Sequence, residues 1–163
     1  MSPLYNLTLN KDGSYSFISD DKHVYIIYFL QYKLIDADNN EHKVYSFGFS
    51  RNKEHATKSF TYRYDEKIKN TILAVINNFF AENDDKALLY FCYGDDGFAR
   101  HRSITFKKWG REVANSIESY STRIAYFEDY IYGCLMVQKD NPLKKLIIDA
   151  FEQNIREITS HGG

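Results

Sequence analysis

Cysteine is nearly absent from this sequence: Cys92 and Cys134 are the only two in 163 residues. Each sits in an apolar run without a CxxC neighbour. Both therefore read as reduced core thiols, and neither a disulfide framework nor a zinc pair is expected. Proline is as scarce, at two residues. No Pro-, Gly- or Ser-rich stretch, repeat or composition shift divides the chain, so one domain spanning 1–163 is expected. Charge of one sign is lacking too. The net charge of −1 gives no global field toward nucleic acid or an anionic membrane, so any such binding must be local. No apolar run reaches the length of a membrane span. The first residues lack the basic start and apolar core of a signal peptide. A cytoplasmic, bacterial protein with no membrane association is expected. The phosphate loops GxxxxGKS/T and GxGxxG, the zinc motif HExxH and the nucleophile elbow GxSxG are all missing. No cofactor and no metal is expected, and a non-enzymatic role is favoured over an enzymatic one.

Aromatic residues are abundant instead, with 14 Tyr and 12 Phe. Tyrosine suits half-buried strand positions, ring inward and hydroxyl wet. Tyr5, Leu7 and Leu9 alternate with polar residues, Asn10-Lys11-Asp12-Gly13 turns the chain, and Tyr15 and Phe17 continue the alternation. Asp20-Asp21-Lys22 is the next turn. Val24 to Phe29 is apolar on both faces and predicts a central strand whose later part, to Leu34, is half exposed. Asp36 to Glu41 is a polar turn. Tyr45, Phe47 and Phe49 then give the next strand an aromatic face, opposite a small face centred on Gly48, where a helix is expected to pack. Phe60, Tyr62 and Tyr64 predict a fifth strand.

Helical spacing begins after Asp65, an expected N-cap. Ile68, Ile72, Val75 and Phe79, flanked by Leu73, Ile76 and Phe80, form a wide stripe suited to lying on a sheet. Asn83-Asp84-Asp85 ends it. Glu118 to Arg123 is ambiguous. Ile124 to Val137 holds two apolar runs separated by Glu128-Asp129, which predicts a strand pair. Asn141-Pro142 marks a helix start, with Leu143, Ile147, Phe151 and Ile155 recurring every four residues. Strands first, helices later and hairpin-length turns give α+β: a mainly antiparallel sheet of about six to eight strands with about three helices on one face.

Charge, aromatics, a glycine turn and the lone tryptophan coincide only in Tyr90 to Arg111. Leu88 to Tyr93 reads as a buried strand, and Gly94-Asp95-Asp96-Gly97 breaks it. Arg102, Phe106, Trp109 and Val113 then fall on one helical face. Two readings stand side by side. In the first, Asp95 or Asp96 caps the helix, Phe106 and Trp109 are core, and the cations are solvated. In the second this is a site. Asp95, Asp96 and His101 are then the catalytic candidates, and Arg100, Arg102, Lys107, Lys108, Trp109 and Arg111 the ligand-binding ones.

The pattern of Tyr90, Cys92, Asp95/Asp96-Gly97, Arg100, Arg102, Phe106 and Trp109, followed by Asn141-Pro142, resembles a family of small proteins of unknown function found mainly in Bacteroidetes. The resemblance implies a bacterial intracellular protein and supplies no activity, cofactor or catalytic residue.

The favoured expectation is therefore a binding module with a protein partner, or acting as a homodimer, in a regulatory, stress, toxin–antitoxin or phage-defence setting. The tyrosine excess motivates it, since tyrosine is favoured at interfaces. The alternative is a small nucleic-acid-processing or nucleotide-acting enzyme, or a nucleic-acid binder, centred on Asp95 to Arg111. Its stacking component requires an exposed Trp109.

Overall fold

The computed structural model describes residues 3–51, 66–92, 99–113, 115–126 and 129–161. The expected strand over Phe60 to Tyr64 and the Asp65 cap lie outside the described residues. Ten elements follow in chain order. They are β1 (Thr8–Leu9), β2 (Tyr15–Ile18), β3 (Val24–Ile35), β4 (Glu41–Arg51), α1 (Glu66–Glu82), β5 (Ala87–Cys92), α2 (Ala99–Gly110), β6 (Ile117–Tyr126), β7 (Asp129–Gln138) and α3 (Lys144–His161). The strands make one seven-stranded sheet in the order β1-β2-β3-β4-β5-β7-β6. Every pairing is antiparallel except β4 with β5, which α1 joins as a crossover. The fold is α+β with three helices, as the sequence predicts.

The first three connections share one turn geometry. Gly13, Lys22 and Asn39 each take a positive φ, of 84°, 68° and 67°. Each residue also donates its N–H to the carbonyl three residues back, at Asn10, Ser19 and Asp36. This is a tight turn closed by a left-handed residue, the usual three-residue hairpin loop. The loops fix β1 to β4 as a meander in register, with Phe17 opposite Tyr25 and Phe29 opposite Phe47.

Side chains alternate across a strand, so the sheet presents two faces. On the first, Tyr25, Ile27, Phe47, Leu88, Cys134 and Met136 pack with Ile68, Ile72, Val75, Ile76 and Phe80 of α1 and with Trp109 of α2. On the second, Leu34, Val44, Ala87, Leu89, Leu135 and Val137 pack with Ile147, Ala150 and Phe151 of α3. The expectation of all helices on one face is thus revised: α1 and α2 share one face and α3 lies on the other. The cause is in β5 and β7. Both are apolar on consecutive residues, so both of their faces need cover.

Other differences are local. The ambiguous Glu118 to Arg123 belongs to β6, which pairs with β7 from Ile117↔Gln138 to Tyr126↔Asp129. Gly48 is approached not by a helix but by the Tyr28 ring from the paired strand, which occupies the space a Cβ would need. Phe91 lies over Gly133 in the same manner, at 3.1 Å from a Cβ position. Cys92 and Cys134 are buried and not joined in a disulfide. Inside α1, Thr71 donates its hydroxyl to Lys67 O (2.7 Å) and accepts the Tyr5 N–H (2.9 Å), tying the chain's start to the helix.

Candidate functional site

The aromatic stripe of α2 belongs to the first-face core. Trp109 is 8% exposed and stacks on Phe49 at 6.4 Å, with Phe106 tilted against it at 5.4 Å. Its ring is therefore not presented on the outside of the basic helix. Trp109 instead forms part of the wall of a cavity of about 210 Å³ where β4 and β5 separate beyond Ser46 and Leu89. Tyr28, Gly48, Tyr90, Phe91 and Cys92 also line it. Burial, with the Cys134 thiol alongside, pushes the Tyr90 hydroxyl far above its ordinary range, and burial pushes the Cys134 thiol up as well. Both stay protonated at neutral pH, so neither supplies a nucleophile or a base.

The expected charged residues are only partly described. Asp95 and Asp96 lie outside the described residues. His101 and Arg102 lie within α2, and their side chains lie outside the described set. Lys108 and Arg111 are exposed. Arg100 and Lys107 come together with Ser103 and Ile104 on one helical stripe, at the spacing i, i+3, i+4, i+7. That stripe faces Ser121, Thr122 and Arg123 of β6 and Tyr132 of β7 across a cleft of about 440 Å³. Its described lining holds three cations and the hydroxyls of Ser103, Ser121 and Tyr132, and no carboxylate; the Thr122 side chain turns to the other face. Arg123 lies with its guanidinium 4.4 Å above the Tyr130 ring, which fixes its direction. Arg123 was missed from sequence because it sits in the ambiguous stretch. The signal that finds it is the alternation Ser119, Ser121, Arg123 along one face of β6.

A second surface is apolar. On the second face α3 reaches Leu34 and Val44 but not the rest of β3 and β4. Ile26, Tyr28, Leu30 and Tyr32 of β3 and Ile18 of β2 remain open to solvent, Leu30 and Ile18 at 60%. Beside them on β4 run Ser50, Gly48 and Ser46, opposite Ile26, Tyr28 and Leu30.

The pair of Asp36 and His42 is structural. Asp36 Oδ1 accepts the N–H groups of Asp38 (3.0 Å) and Asn40 (2.9 Å), and Asp36 Oδ2 meets His42 Nε2 at 2.9 Å. Together they close the β3–β4 hairpin. Among the described residues no group of three or more His, Cys, Asp and Glu stands ready to hold a metal ion. No helix among them is long and apolar enough to cross a membrane.

These features define a small α+β protein with a helix-covered sheet, a cationic cleft at one end and, at the other, an apolar face left uncovered among the described residues. The chain belongs to DUF6169, a family of unknown function, whose model matches residues 64–153. That stretch holds α1, α2 and β5 to β7, and with them the whole cationic cleft, whereas the bare face of β2 to β4 precedes it. No curated protein and no solved structure matches the chain.

Proposed function

We propose that the protein is an interaction module that pairs with a second copy of itself through the bare half of the second sheet face. One observation carries this reading. β3, β5 and β7 all have the continuous apolar sequence of strands covered on both sides. β5 and β7 have that cover, and β3 between Ile26 and Tyr32 lacks it among the described residues. Contiguous exposed apolar surface of this kind marks a docking site. Its character favours a second copy. The second-face residues of β2 to β4 between Ser16 and Ser50 include Ser, Ile, Val, Tyr, Leu, Gly and no charged side chain until His42. An uncharged surface selects no oppositely charged partner, and its own copy matches it. Tyr28 lies down over Gly48 instead of standing out. The surface is therefore low, as sheet-on-sheet packing at about 10 Å requires, and a two-fold axis makes such a contact self-complementary.

Sedimentation velocity on the full chain tests this. A concentration-dependent dimer is expected. Leu30→Glu puts a charge into the face without touching either core, so it should give a monomer with unchanged far-UV circular dichroism. A wild-type protein that stays monomeric at high micromolar concentration, or a Leu30→Glu protein that still dimerises, would overturn the reading.

A further inference from the structure

We propose that the cleft between α2 and β6 binds the phosphoryl group of a small ligand, a nucleoside monophosphate or a sugar phosphate. This site lies at the far end of the sheet from the dimer face and does not depend on it.

The first support is electrostatic. Arg100, Lys107 and Arg123 line one cleft whose described walls hold no carboxylate. Like charges left together without an anion repel one another, and a bound anion relieves that repulsion. The second support is the donor set. Ser103, Ser121 and Tyr132 carry hydroxyls around the same space. A phosphoryl group carries close to two negative charges and three strongly accepting oxygens, so it can use cations from two sides and hydroxyls between them. A carboxylate, with one charge and two oxygens, leaves part of that set idle. The third is preorganisation. The Tyr130 ring holds the Arg123 guanidinium, so less side-chain entropy is lost when an anion arrives. Ile104 and the Tyr132 ring add an apolar wall for the part of the ligand that carries the phosphate.

A small ligand fits these observations better than a nucleic-acid strand. Strand binding uses a basic groove that tracks the backbone together with exposed rings on which bases stack. Here Trp109 is in the core, Lys108 and Arg111 lie outside the cleft, and the net charge is −1.

The test is isothermal titration of the full chain at fixed ionic strength with four probes: inorganic phosphate, a nucleoside monophosphate, a sugar phosphate and a short single-stranded RNA. Binding of at least one of the two organic phosphates is expected. The preferred one identifies the source, and inorganic phosphate competes with it. The Lys107→Ala/Arg123→Gln variant should bind at least about tenfold more weakly, the scale of a lost charge-assisted hydrogen bond. Both side chains are exposed, so the variant is expected to fold, with an unchanged melting curve as the control. Lys108→Ala/Arg111→Ala should bind as the wild type does. Absence of binding to either organic phosphate would overturn the proposal. So would equal affinity in the cleft variant, or binding of RNA alone with dependence on Lys108 and Arg111.

Discussion

At the scale of single residues, the hairpin between β3 and β4 depends on one carboxylate. The His42 ring, then the N–H of Asn40, hold the Asp36 carboxyl down at about 2, against a partial opposing effect of burial. A carboxyl depressed in the folded state stabilises the fold above its ordinary range. That contribution is lost as pH falls through the ordinary value of 3.8 toward 2. Asp36→Asn keeps the shape but not the charge. Urea midpoints for the two proteins should therefore differ at pH 7 and converge below the folded value. A difference that stays constant down to acid pH would show that the aspartate acts through shape alone. Little of this was legible beforehand. Asp36 to Glu41 reads as a turn from its polarity, but the imidazole that meets the carboxylate is six positions away, and only the register of β3 against β4 brings it back.

At the scale of elements, the start of α3 is where the sequence and the structure nearly coincide. Asn141-Pro142 predicts a cap followed by the first helical residue, and the regular helix begins two positions after the proline, at Lys144. The cap itself is present: Asn141 Oδ1 accepts the Leu143 N–H at 2.8 Å, and the Asn141 carbonyl accepts the Lys144 N–H at 3.0 Å. Asn141 is buried, so nothing outside replaces the lost acceptor when it is removed. Asn141→Ala should cost about 1 kcal/mol of stability, the usual value for a cap. Chemical denaturation measures it, and a change inside experimental scatter would mean that the proline and the tertiary contacts of Ile147 and Phe151 set the start by themselves. α1 was readable for a different reason. Its stripe is wide, and Ile68, Ile72, Val75 and Phe80 are buried as the spacing requires. The Glu118 to Arg123 part of β6 was not readable, because Ser, Thr and Tyr alternate there, and a strand at the sheet's edge needs no continuous apolar face. Its end from Ile124 reads as half of a strand pair, which it is.

At the scale of the whole molecule, the sequence gives the class of fold but not which side each helix takes. Hydrophobic period identifies the face that an element buries and is silent on the partner that buries it. β3, β5 and β7 read alike, and only the connections decide that α3 covers β5 and β7 but meets β3 only toward its Leu34 end. The same arrangement links the two cores. Leu88 points into one and Leu89 into the other, as Met136 and Leu135 do on β7. Stress on one face must therefore travel through the shared strands to the other. Leu135→Ala tests this, because Leu135 is fully buried in the second-face core, while the only tryptophan, Trp109, reports from the first. A truncation of this kind costs about 2–5 kcal/mol. If the chain is one cooperative domain, Trp109 fluorescence and far-UV circular dichroism should shift together by that amount in a single transition. A Trp109 transition left in place while the dichroism loses part of its amplitude early would mean that the α3 side unfolds by itself and that the sheet holds two units.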